Sequence, residues 1–149
     1  MKRLLFFIFV VLSFAKEGER PVLSLKELSS IQPGLGTIMT EYGKRFWILY
    51  YAAKEGNWKL AEYELKEQRE IQEVGEVTRP FYASKLKEFE NRYLKPIEKS
   101  LEKRSFEDFK KAYDVAVKGC NRCHIETGHG FIRYRLPDTP PLMLDLKAK

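Results

Sequence analysis

Apolar residues recur every three or four positions through most of the chain, and this rhythm is the strongest limit on what it can become. From about Leu35 to Glu55 the series runs Leu35, Ile38/Met39, Tyr42, Phe46, Leu49/Tyr50, Ala53, the spacing of one helix face. Gly56 then breaks the pattern, and Asn57 is a suitable N-cap for a second helix over about Trp58–Val77, with Trp58, Ala61, Leu65 and Ile71 turned inward. Thr78 can cap a third helix with Pro80 in its first turn, where the missing N–H costs little. Its face is Phe81, Leu86, Phe89, Tyr93/Leu94, Ile97 and Leu101, ending near Lys103, and Pro96 inside it predicts a kink or a break. Ser105 followed by Asp108 resembles a capping box for a fourth helix facing inward through Phe106, Phe109, Tyr113 and Ala116/Val117.

No alternating strand pattern persists, and the connections are short. The expectation is an all-α antiparallel four-helix bundle over residues 34–127, with an irregular tail over 128–149 carrying Pro137, Pro140 and Pro141. An arm over 16–33 precedes the bundle, and Leu25, Leu28 and Ile31 allow it one or two helical turns. The 149 residues suit one domain better than two.

Residues 1–15 read as a secretory signal peptide: Lys2 and Arg3, the apolar run Leu4–Leu12, then Ser13-Phe14-Ala15 with small residues at the cleavage positions. The run is shorter than the roughly 20 residues a membrane span needs. The mature protein is therefore expected outside the cytoplasm, in the periplasm, with no integral span. Cleavage removes two cations and lowers the formal charge from +6 to +4, interleaved with acidic residues. That balance argues against nucleic acid as a partner. It leaves room for docking on an acidic redox protein, where complementary charge mainly speeds encounter.

Two cysteines in an exported chain would ordinarily suggest a disulfide. Here they form Cys120-Asn121-Arg122-Cys123-His124, the C-x-x-C-H signature of c-type haem attachment. On a helix the two thiols share one face, about 5–6 Å apart at Cβ, and His124 returns to it four residues after Cys120. The thiols can add to porphyrin vinyl groups while neutral imidazole binds iron. Position 120 also continues the inner stripe 106, 109, 113, 116, so the attachment point faces the core. Two rivals are a zinc site of Cys120, Cys123, His124 and His129 and a redox dithiol or plain disulfide. A dithiol motif wants a helix N-terminus, whereas this one closes a helix.

At this point the chain resembles the class II cytochromes c, the cytochrome c′ fold, and more narrowly a set of small bacterial monohaem cytochromes. The matching stretches are Gly36-Thr37-Ile38-Met39, Ala53–Leu65 and Cys120–Ile132 with the prolines that follow, so the likeness covers about residues 35–141. In that set a histidine commonly stands where this chain has Phe46, and no role of that histidine is carried over. The resemblance implies one covalently attached haem c and its iron, with electron transport rather than enzymatic turnover. In low-spin members it implies a methionine ligand on the first helix; in c′ proper that place is vacant.

Met39, on the inner face near the start of the first helix, would approach the end of the fourth in an antiparallel bundle. It is the leading second iron ligand beside His124. A vacant position, Met143 in the tail, and Met39 as simple core filling all stay open. His129 lies too close to His124 in sequence to reach the opposite face. Arg133 and Arg135 are candidates for neutralising haem propionates, or plain surface charges. The functional expectation is a periplasmic electron carrier cycling Fe(III)/Fe(II). The alternative is a five-coordinate haem protein binding NO or CO; a small peroxidase lacks polar acid–base groups beside Leu35, Ile38 and Met39. Pairing into a homodimer is left open.

Overall fold

The computed structural model describes residues 22–147, so the expected signal peptide lies outside the described residues. The chain divides after Ile31 into two units. In the first, α1 (Leu25–Ser30) starts at a reciprocal capping box: Ser24 Oγ accepts from the Glu27 N–H, and Glu27 accepts from the Ser24 N–H. It buries no residue.

The second unit is all-helical among the described residues, with no strand. Helix α2 spans Leu35–Lys54 and α3 spans Trp58–Thr78. Between them Gly56 takes φ +76°, a left-handed conformation that carries no Cβ penalty only for glycine. Asn57 then caps α3 by accepting from the Leu60 N–H at 3.2 Å. Next come α4 (Pro80–Phe89), a π-helical turn (Glu90–Leu94) and α5 (Lys95–Glu102). Pro96 has no N–H for the carbonyl four residues earlier, and its ring crowds that carbonyl. The π turn just upstream takes up the misfit, so the expected interruption is a widened turn with no gap. Helix α6 (Phe106–Glu126) begins at Ser105, whose Oγ accepts from the Asp108 N–H.

One core serves all of these elements. Phe46 and Leu49 of α2, Ala61 and Leu65 of α3, Leu94 and Ile97 from the π turn and α5, and Phe109 and Tyr113 of α6 are buried together. Each such aliphatic or aromatic side chain contributes roughly 1.5–3 kcal/mol by leaving water. Tyr113 stacks on Phe46 at 4.1 Å between centroids and donates its hydroxyl to the Phe46 carbonyl at 3.1 Å. Burial pushes that hydroxyl far above its usual titration range, so it stays a donor.

Two expectations at the α3–α4 junction are corrected. Thr78 does not cap α4; it is the last residue of α3, its Oγ1 donating to the Val74 carbonyl, and Arg79 precedes α4 with no side-chain cap. Phe81 is 85% exposed. It stands five residues before Leu86, about 140° off that residue's face, whereas Tyr82, four before, points inward. On α3 the buried stripe runs through Glu64, Leu65, Gln68 and Gln72, and Trp58 and Ile71, partly buried, pack against the core as expected.

The tail is irregular, as expected, and lies across α2 and α6. Trp47 Nε1 donates to the Thr139 carbonyl at 2.9 Å and Tyr51 donates to the Pro137 carbonyl at 2.9 Å. Leu146 is buried with Ile48 and Tyr51. Among the described residues no helix is long and apolar enough to cross a membrane.

Candidate cofactor site

At the start of α2 and the end of α6 the packing opens into a cavity of about 420 Å³. Its α6 wall carries Cys120, Cys123 and His124, and its α2 wall carries Leu35, Met39, Tyr42 and Phe46. Leu86 and Phe89 close it from α4, and Ile132, Arg133 and Tyr134 close it from the tail. The four residues singled out from sequence, Cys120, Cys123, His124 and Met39, thus line one space. Met143 does not line it and is 72% exposed; Arg133 lines it and Arg135 does not.

Helix α6 aims its side chains here through a short chain reversal. Gly128 takes φ +79°, and the His129 N–H donates to the His124 carbonyl at 2.6 Å. Residues 128–132 consequently fold back over the helix end, which brings the Ile132 carbonyl within 2.9 Å of His124 Nδ1. A carbonyl only accepts, so Nδ1 carries the proton and donates. The lone pair is left on Nε2, the tautomer a metal-binding imidazole needs. Asn121, inside the motif, clamps the tail at two points: its amide donates to the Tyr134 carbonyl at 3.0 Å, and its Oδ1 accepts from the Tyr134 N–H at 2.8 Å. Arg122 bonds the Tyr93 hydroxyl.

The thiols are free and poorly acidic. Burial, with Cys123 nearby, pushes the Cys120 thiol up to about 12, and burial raises Cys123 as well. Cys123 sits in the last turn of α6, where the dipole also disfavours a thiolate. A dithiol oxidoreductase needs the opposite, a thiol made acidic by its surroundings. Among the described residues no three His, Cys, Asp or Glu side chains converge as a metal cage. Cys120, Cys123, His124 and His129 therefore do not assemble the tetrahedral set a protein-bound zinc requires. A porphyrin brings four nitrogens of its own, and asks the protein only for axial donors.

The residues present fit such a group. The walls are largely aliphatic and aromatic, two neutral thiols stand on one of them, and an oriented imidazole lies beside the thiols. Sequence reasoning missed Tyr82, Gln72 and Tyr134 as wall residues. Tyr82 had a usable signal, lying four before Leu86; Tyr134 had none, since it arrives from irregular chain.

No protein-family model matches the chain, and no curated protein or solved structure matches it either.

Proposed function

We propose that this chain is an exported monohaem c-type cytochrome of the class II kind, working in the periplasm as an electron carrier between redox partner proteins. In this reading α2, α3, the α4–α5 segment and α6 are the members of an antiparallel four-helix bundle. The observation that carries it is the common wall of Cys120, Cys123 and His124, with His124 Nδ1 held by the Ile132 carbonyl. A haem bound there would supply a one-electron Fe(III)/Fe(II) couple.

The chain's own residues do the rest. Cys120 and Cys123 would hold the group by thioether bonds, and His124 would offer Nε2 to its iron. Met39 would offer a thioether sulfur from α2, a donor that favours the reduced state and raises the potential. Leu35, Phe46, Leu86 and Phe89 exclude water and keep the local dielectric low. Arg133 has no carboxylate partner among the described residues, so its charge is available to the carboxylates of a bound group.

A mass and a visible spectrum of the matured protein test the reading. We expect a mass above that of the bare polypeptide by one haem, colour that survives acid–acetone extraction, and low-spin ferrous bands indifferent to CO. A colourless protein with both thiols free would end it. Met39→Ala tests the sixth ligand: a high-spin ferrous form that takes up CO and a lowered midpoint potential are expected, and unchanged low-spin bands exclude Met39. Rapid CO or NO binding by the unsubstituted protein would instead favour the five-coordinate gas-binding reading.

A further inference from the structure

Helix α3 carries Glu64, Gln68, Gln72 and Glu76 at successive four-residue steps, and the first three are 2%, 0% and 1% exposed. Polar residues in a file on an inward face are not explained by core packing. Two of them are satisfied. Glu64 accepts from Arg45 at 3.2 Å, and Arg45, itself partly exposed, also holds Glu41 at 2.8 Å. Gln72 accepts from the Tyr42 hydroxyl at 3.3 Å and donates to Glu76 and to the Leu86 carbonyl, and it stands on the cavity wall. Gln68, between them, has no hydrogen-bond partner for either Nε2 or Oε1.

A wholly buried amide with both ends unmet calls for water, which in native interiors bridges such groups. The spacing suits it. A four-residue step advances about 6 Å, and two hydrogen bonds of about 2.9 Å through a single water span the same length. We propose that Gln68 holds buried water on both sides, joining Glu64 to Gln72, so that a hydrated polar file runs along α3 from Arg45–Glu64 to the cavity wall and Glu64 takes up a proton when the cavity gains negative charge.

The second half of this proposal rests on the haem reading; the water site does not. When a one-electron donor protein reduces the group in the cavity, one electron enters there. One proton, given up by a bulk hydronium that becomes water, converts the Glu64 carboxylate to the acid. Gln72 lies about 12 Å along the helix from Glu64. At an effective dielectric near 20 a unit charge at that range shifts proton affinity by about tenfold. From α2, Arg45 and Glu41 face Glu64, and Glu67 neighbours it on α3. Further along α3, α5 presents Glu98 to Arg69 and α4 presents Lys87 to Glu76. Burial raises the Glu64 carboxyl while Arg45 lowers it, the first being the larger, which places its titration above the ordinary carboxylate range.

Two measurements on the full chain decide the matter. Water–amide cross-relaxation at the Gln68 side chain should show long-lived water; a dry Gln68 overturns the site. In the haem-loaded protein the midpoint potential should fall as pH rises between the oxidised-state and reduced-state pKa of Glu64. The total fall for a tenfold coupling is about 59 mV for one electron, flat above and below that window and absent in Glu64→Gln. Should Glu64→Gln fail to fold, the reduced-minus-oxidised infrared spectrum of the unsubstituted protein must gain a carboxylic-acid C=O band. A pH-independent potential without that band overturns the proton uptake at Glu64 even where water is found. A protein that carries no haem removes the functional reading and the redox-linked uptake with it, while the Gln68 water signal still judges the site.

Discussion

Gly119 sits one position before the first motif cysteine, and a Cβ built on it would lie 2.6 Å from Tyr93 Cζ. The ring is buried and cannot swing aside freely. Gly119→Ala should therefore cost about 1–3 kcal/mol as overpacking, read as a lowered urea midpoint. Because Tyr93 also holds Arg122, between the two cysteines, the strain reaches the motif itself. Reading Cys120, Cys123 and His124 from the sequence needed only their spacing. Gly119 was invisible there, since its meaning depends on a tyrosine from another element. Glu64, Gln68 and Gln72 were equally silent. Polar residues at helical spacing default to solvent, and only tertiary packing turned this file inward.

The helices themselves were legible nearly to the residue, because glycine and side-chain caps act locally. Gly56 and Asn57 end α2 and start α3 as their chemistry dictates. Asn57→Ala should lower stability by about 1 kcal/mol, with Asn57→Asp close to neutral, in chemical denaturation monitored by circular dichroism. The third helical stretch was read less well. Thr78 belongs to α3 and Phe81 faces outward, because a threonine side chain can bond back to its own helix as readily as cap the next. The rest of the face, Leu86, Phe89, Tyr93/Leu94, Ile97 and Leu101, is buried as read, straight through the π turn at Glu90–Leu94. Arg69, from α3, ties that turn to α5 by pairing with Glu98 at 2.6 Å and Glu90 at 3.4 Å. The guanidinium holds the Glu98 carboxyl below its usual value. Its contribution to stability is present above the unfolded-state carboxylate range and is lost as pH falls through the folded-state pKa. Glu98→Gln should flatten the acid limb of a plot of urea midpoint against pH.

Across the whole molecule, packing between helices is supplemented by a tail whose course no periodicity could foretell. Its prolines announced irregular chain, but its landing points, Trp47, Tyr51 and Asn121, emerge only in three dimensions. Ending the chain after Leu136 should free Trp47 and uncover Ile48 while keeping Ile132–Tyr134 on the cavity wall. In a Trp58→Phe background, a red-shifted Trp47 emission with His124 still bonded to Ile132 is the expected outcome; unchanged emission would show that the Thr139 bond does not fix the indole. The bonds from Trp47 and Tyr51 to the tail join residues 92 and 86 positions apart, whereas successive helices meet through short turns. Contacts of such long reach form late, because the loop they close is costly to draw together before anything rewards it. The wall segment Ile132–Tyr134 is held by bonds only 8 and 13 residues in reach, so the stretch beyond Leu136 should be the last to settle and the first to come free, and its release should leave the hollow's own border standing.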